Sequence, residues 1–346
     1  MKDYSAREGF QVMSISDRRD LLKKAAALGL GTIVSARDVP SRAGQAEPNP
    51  HPDAAKFFPG FKQLTAKTSG AIINFVIAGS GPPLLLLHGY PETHVMWRRV
   101  APQLAEKFTV VAADLRGYGD SSKPPDGENH FNHSKRAMAQ DQVELMASLG
   151  FQKFSVVGHD RGGRVTHRMA LDHPDRVEKA VILDIVPTYK LFHNVTKEWA
   201  TSSFHWFFLI QPTPIPETLI GNSLGFWVQS RFTRFNLLPA EARSSDATAE
   251  YVRCFRIPGT IHATCEDYRA GASIDLQHDE ADMDHKVSCP LLVLWGERGA
   301  MNRLYDVLAT WKERAANVNG RAVPSDHFIP EENPEVILSE LKTFLA

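Results

Sequence analysis

The chain has 346 residues, 43% hydrophobic and 23% charged, a globular balance that excludes a disordered chain, collagen, a coiled coil and a membrane bundle. Its 39 Lys plus Arg stand against 40 Asp plus Glu, and a net charge of −1 leaves no electrostatic footprint for nucleic acid or an anionic membrane. Three scattered cysteines, Cys254, Cys265 and Cys289, make neither a disulfide framework nor a zinc cage.

The first segment reads as an address. Asp17-Arg18-Arg19-Asp20-Leu21-Leu22-Lys23-Lys24 precedes twelve small or apolar residues, 25–36, and these are the cationic and weakly apolar parts of an export signal. The paired arginines resemble a twin-arginine signal, although Asp17 and Leu21 depart from its usual pattern. This predicts an export signal-like leader at 1–46, cleavage after Ala46 or Ala36, and a periplasmic protein. The alternative is a frayed helix on a cytoplasmic one. Twelve residues fall short of the roughly 20 needed to span a bilayer. Without residues 1–46 the chain keeps 31 basic and 35 acidic side chains, and an oxidising compartment would let two of its cysteines pair.

From about residue 70 the hydrophobic period alternates. Strand-like runs at 72–78 and 84–88 flank the turn cluster Gly79-Ser80-Gly81-Pro82-Pro83. A strand at 108–114, a helix at 133–149, a strand at 154–159, a helix at 161–172 and a strand at 177–186 follow. Residues 187–288 lose strand alternation and carry many aromatics and prolines, which predicts a helical insertion. Strands return at 290–295 and 318–323, each followed by a helix, at 303–315 and 334–345. The expected fold class is therefore α/β: a mostly parallel sheet (47–186 and 289–346) flanked by helices, interrupted by a helical cap at 187–288.

The chemistry centres on Val157-Gly158-His159-Asp160-Arg161-Gly162-Gly163-Arg164. A strand, a glycine, a central residue and another glycine before a helix form the elbow that lifts a nucleophile above a sheet, here an aspartate, Asp160. The competing reading is an aspartate capping the following helix. His88-Gly89-Tyr90-Pro91 fits the loop whose backbone N–H, at Tyr90, joins that of Arg161 in an oxyanion hole. His327 lies beyond the last strand, where the general base of such an enzyme belongs. Asp184, at the end of the strand after the elbow helix, is the expected partner of the base, with Glu297 as the fallback. The pair His130 and His133 is read as a solvated loop rather than a metal site, for want of a carboxylate at helical spacing.

From about residue 57 onward the chain resembles an α/β-hydrolase of the haloacetate (fluoroacetate) dehalogenase family. The resemblance rests on His88-Gly89-Tyr90-Pro91, Asp114-Leu115-Arg116-Gly117-Tyr118-Gly119-Asp120, the elbow run, Leu183-Asp184-Ile185, His205-Trp206, Asp267-Tyr268-Arg269, Trp295-Gly296-Glu297 and His327-Phe328. It implies Asp160, His327 and Asp184 as catalytic residues, Arg161 and Arg164 as a clamp for a substrate carboxylate, and His205, Trp206 and Tyr268 as a cradle for the departing halide. For both arginines the bland alternative is a structural salt bridge. The activity implied is hydrolysis of a small 2-haloacid to a 2-hydroxy acid without cofactor, with water as co-substrate and no nucleic-acid partner. The sequence leaves open whether the protein is a homodimer. Relatives of this kind are usually cytoplasmic, so the leader is a departure. The rivals are an epoxide hydrolase using the same Asp-His machinery, for which Tyr189, Tyr251 and Tyr268 are candidate acids, and a non-catalytic hydrolase-fold binding protein.

Overall fold

A computed structural model of the chain describes residues 47–48, 54–233 and 245–346. The leader at 1–46, with both of its cleavage sites, lies outside the described residues.

Among the described residues nine strands form one sheet: β1 (Glu47–Pro48), β2 (Lys62–Lys67), β3 (Ile72–Ala78), β4 (Pro83–Leu87), β5 (Thr109–Ala113), β6 (Phe154–His159), β7 (Val177–Leu183), β8 (Leu291–Gly296) and β9 (Val318–Val323). Their order is β1-β2-β3-β5-β4-β6-β7-β8-β9. The pairings β1 to β2, β2 to β3 and β3 to β5 are antiparallel, and all the others are parallel. From β4 the chain runs to β5 on one side and then crosses to β6 on the other. The crevice above β4 and β6 is therefore the switch point where open α/β sheets bind ligands.

The expected mostly parallel sheet is present, and the strands at 72–78, 154–159 and 318–323 and the helix at 161–172 stand at the expected bounds. Residues 84–87 of β4 and 291–294 of β8 are buried because helices cover both faces, which is why these strands read as unbroken apolar runs. β2 carried no such signal. Its sequence KQLTAK is polar at both ends, and it lies near the antiparallel edge. The helix at 133–149 is α1 (Lys135–Ser148), and Ser134 starts it by accepting a hydrogen bond from the Ala137 N–H at 3.2 Å. The elbow helix is α2 (Arg161–Asp172).

Two expectations need correction, and one question the sequence left open is answered. The strand expected to reach residue 186 stops at Leu183, because Asp184 turns to φ +51° and leaves the ladder. The helix expected at 303–315 is two helices, 300–304 and 307–314, since the Asp306 side chain caps the second by accepting from the Ala309 N–H at 2.9 Å. All three cysteines are buried free thiols, so no pair forms.

Between β7 and β8 the described residues hold eight helices and no strand, the cap: α3 (Thr188–His193), α4 (Lys197–Ser202), α5 (Phe204–Leu209), α6 (Ile215–Asn222), α7 (Leu224–Thr233), α8 (Ser245–Phe255), α9 (Thr260–Gly271) and α10 (Ile274–Ala281). None of the described helices is long and apolar enough to cross a membrane.

Candidate active site

Asp160 joins β6 to α2 with φ +43° and ψ −109°, a conformation that costs a non-glycine residue about 1–3 kcal/mol. The flanking glycines make it attainable. A Cβ on Gly162 would stand 2.5 Å from the Leu87 carbonyl oxygen, and one on Gly158 would stand 2.3 Å from that of Gly162. The helix therefore settles onto the strand ends only with glycine at both positions. The Asp160 carboxylate caps nothing in its own helix, which removes the capping reading. Its Oδ2 accepts instead from the Tyr90 N–H at 3.1 Å. The Arg161 N–H, at the first helical position, belongs to the donors that a helix leaves unsatisfied.

The loop carrying Tyr90 is held by His88. Burial takes this imidazole down to about 4, so it is neutral: Nδ1 donates to the Gly89 carbonyl at 2.8 Å and Nε2 accepts from the Leu115 N–H at 3.1 Å.

His327 and Asp184 meet as expected. Asp184 Oδ2 lies 2.6 Å from His327 Nδ1, and its Oδ1 accepts from the Gly296 N–H at 3.0 Å. Glu297 is exposed and takes no part. Burial lowers the affinity of His327 for a proton, but the hydrogen bond and charge of Asp184, together with Asp160 and Asp326, outweigh it and raise the pKa to about 9. Asp160 moves the opposite way. Burial favours its neutral form, yet His327, Arg161 and Arg164 keep its pKa below the usual carboxylate value. At neutral pH the site therefore holds a carboxylate facing an imidazolium.

Arg161 makes the salt bridge and keeps one nitrogen unpartnered: its Nε and Nη2 donate to the Asp267 carboxylate at 2.7 and 2.8 Å, while Nη1 is buried without a partner among the described residues. Arg164 Nη1 donates to the Val186 carbonyl and to Thr188 Oγ1, both at 3.0 Å, and its Nε is buried without a partner among the described residues. Burial and the charge of Arg161 bring Arg164 down to about 10, still cationic at neutral pH. Two buried guanidiniums beside Asp160 thus each keep an N–H in reserve, an arrangement that welcomes one more anion.

The cap closes the site from above. A cavity of about 80 Å³ is lined by Asp160, His327, Arg164, Tyr90, His205 and Trp206, with Ile185, Trp199, Met301 and Phe328 as apolar wall. The Tyr268 ring packs 5.3 Å from Tyr90 and Trp206 and 5.9 Å from His205, and its buried hydroxyl has no partner among the described residues. Tyr251 instead donates to Glu331 at 2.5 Å, and Tyr189 stacks on His193. Those two candidate acids are not brought to the site. The expected solvated loop at His130 and His133 also needs correction. His133 is buried against the Pro124 carbonyl at 3.1 Å, and His130 pairs with Glu266 at 2.6 Å, because helix α9 covers that loop.

Several site residues escaped sequence reasoning. Asp267 orients Arg161 and also receives Lys135 and the Tyr118 hydroxyl, a role the sequence did not assign although Asp267-Tyr268-Arg269 is part of the resemblance. Arg231 reaches the cavity from the cap, 4.4 Å over the Trp227 ring. Asp326 also lines it, with burial and Glu332 pushing its carboxyl up to about 6. The buried pair Glu92 and His159, 3.1 Å apart, braces the base, since His159 Nε2 donates to the His327 carbonyl at 2.8 Å. The elbow pattern marks His159 only as a neighbour of Asp160.

Residues 82–334 match the family model described as the alpha/beta hydrolase fold. A fluoroacetate dehalogenase from a Burkholderia species is 45% identical over 289 residues, covering 84% of this chain and 95% of the relative. A soluble epoxide hydrolase from Corynebacterium is 36% identical over 301 residues, covering 81% and 96%. The crystal structure of a candidate alpha/beta hydrolase from Nostoc superposes with a TM-score of 0.81 at 57% identity, covering 83% of this chain and 98% of the other.

Proposed function

The chain belongs to the α/β-hydrolase family, and on that premise we propose that it hydrolyses a small 2-haloacid, a haloacetate such as fluoroacetate, to the 2-hydroxy acid and halide through an ester on Asp160. One observation carries this reading: a buried elbow aspartate shares an 80 Å³ cavity with an arginine and with a histidine–aspartate pair, and two arginine N–H groups beside it lack partners. The relative named as a fluoroacetate dehalogenase supports it.

Arg161 Nη1 and Arg164 Nε take the substrate carboxylate, which sets the halogen-bearing carbon over Asp160. An Asp160 oxygen attacks that carbon and the carbon–halogen bond breaks. The halide departs toward the N–H and O–H groups of His205, Trp206 and Tyr268. Forming the ester removes the negative charge of Asp160, one of the charges that hold the proton on His327. Its loss loosens that proton, which His327 gives up to solvent before it can serve as the base. The imidazole takes a proton from water attacking the Asp160 carboxyl carbon, while the Tyr90 and Arg161 N–H groups hold the oxyanion; the ester C–O bond then breaks and the 2-hydroxy acid leaves with the proton His327 had taken.

Incubating the purified protein with fluoroacetate and chloroacetate, and assaying halide and glycolate, tests the proposal; folded protein releasing neither would refute it. The pH profiles carry a sign of their own. Hydrolysis needs neutral His327, so kcat should rise with pH through a value below about 9. Capture of an anion benefits from protonated His327, so kcat/KM should fall as pH passes about 9. Profiles that rise and fall together would contradict this coupling.

Asp184→Asn should lower kcat by about 10²–10⁴-fold by losing the tautomer and the charge support of His327, and Glu297→Gln should leave it within about twofold. The reverse ranking in steady-state assays would move the acid to Glu297. The rival epoxide hydrolase has a relative at 36% identity, but the two further tyrosines considered for it lie away from Asp160. We infer too that the Arg18-Arg19 leader directs the protein to the periplasm. Cell fractionation finding it wholly in the cytoplasm would refute that.

A further inference from the structure

We propose that Asp126, His262 and Glu266 form a binding site for a divalent transition-metal ion, zinc above all, that ties the cap to the core. None of the three lines the active-site cavity, so the proposal is independent of the chemistry at Asp160.

The fold supplies what the sequence around His130 and His133 lacks, a histidine and a carboxylate on one helical face. His262 and Glu266 stand four residues apart on α9, and Asp126 reaches them from the connection between β5 and α1, 136 residues before His262. One ligand atom from each of the three lies within 4.8 Å of one from each of the others, and His262 Nε2 is 2.9 Å from Asp126 Oδ1. A zinc ion with bonds of about 2.0–2.2 Å to nitrogen and oxygen holds its ligand atoms about 3.3 Å apart, inside that range.

The surroundings of His262 are those of a ligating imidazole. Its Nδ1 faces Glu217 Oε1 at 2.9 Å, and that oxygen also accepts from Arg269 at 2.8 Å and from the Thr213 hydroxyl at 3.0 Å. A carboxylate on the far ring nitrogen keeps the proton there and turns the Nε2 lone pair toward the ion. Both ring nitrogens face oxygens that only accept, so an ion at Nε2 takes the place of a proton. Glu266, its side chain 3% exposed, closes the inner side, steadied by His130 at 2.6 Å and Arg269 at 2.8 Å. The side chains of His262 and Asp126 are 36% and 46% exposed, which leaves the outer side open to an arriving ion and to the water that completes its shell.

The charges close as well. With both histidines neutral, Asp126, Glu266 and Glu217 carry three negative charges, and a divalent ion together with Arg269 supplies three positive ones. One nitrogen and two carboxylates favour zinc over magnesium and calcium, which take oxygen shells. The ion fixes a core loop to α9, the helix whose Asp267 holds Arg161, and takes no part in the reaction itself.

The test strips the full chain with a chelator and titrates it by calorimetry with zinc chloride and, separately, magnesium chloride. One zinc per chain is expected, bound at least about 100-fold more tightly than magnesium. His262→Ala should weaken zinc binding by at least about 100-fold, and Glu217→Gln, which leaves the three ligands in place, by about 10–100-fold. Zinc at a hundredfold excess over its Kd should raise Tm by about 4 °C. Hydrogen exchange should slow in 124–133 and 260–271 and stay unchanged in the C-terminal helix at 334–345. Should His262→Ala misfold, Asp126→Asn at the more exposed ligand serves instead. No zinc bound by the unaltered chain, affinity unchanged in these variants, or magnesium bound as tightly as zinc would each overturn the proposal.

Discussion

Replacing His327 with alanine is expected to stop the protein after one turnover, with about one halide released per chain and a carboxymethyl group left on Asp160. The two half-reactions draw on different residues. Ester formation needs an ionised Asp160 and a held substrate, and Arg161 and Arg164 continue to favour the carboxylate when the imidazolium is gone. Ester hydrolysis needs a base, and the other groups about the ester do not replace it. His159, the nearest other imidazole, is tied at both nitrogens, to Glu92 and to the His327 carbonyl. Steady-state kcat should fall by at least about 10²–10⁴-fold while the first halide appears at a rate near that of the unaltered protein. Rapid-quench halide assay followed by peptide mass mapping decides it. A label on any side chain other than Asp160 would place the nucleophile elsewhere.

The parts legible in the sequence are those whose chemistry is local. The elbow needs glycines at fixed offsets from Asp160, and the apolar runs of β4, β6 and β8 need burial on both faces, so both are written within a few residues. Chain order after the elbow was enough to single out His327. Asp184 was harder, because its role depends on a backbone turn at φ +51° that ends β7 three residues before the apolar run does. The contacts closing the site from the cap were not legible. Asp267 meets Arg161 across 106 residues and Arg231 comes from a helix of the cap, and nothing local to either position names its partner. The salt bridge does not use up Arg161: a guanidinium has five N–H groups, and here Asp267 takes three of them, through its carboxylate and its carbonyl, and leaves the two on Nη1.

Asp160→Asn separates binding from chemistry more sharply than any other substitution in the site. Asparagine tolerates positive φ as aspartate does, so the elbow at φ +43° should persist and the variant should fold. An uncharged amide is a poor nucleophile toward saturated carbon, so turnover should drop by at least about 10⁴-fold. Affinity should move the other way. Asp160 repels an incoming carboxylate at close range, and removing that charge leaves Arg161, Arg164 and the His327 imidazolium facing the substrate without their internal counterion. Calorimetric titration with chloroacetate or glycolate should therefore show equal or tighter binding in the variant, weakening as His327 loses its proton, at a pH below about 9 because the Asp160 charge no longer helps to hold it. The two readouts fail independently. Turnover within about tenfold of the original would remove Asp160 as the nucleophile, whereas lost turnover with lost binding would mean that the spare arginine N–H groups do not hold the acid.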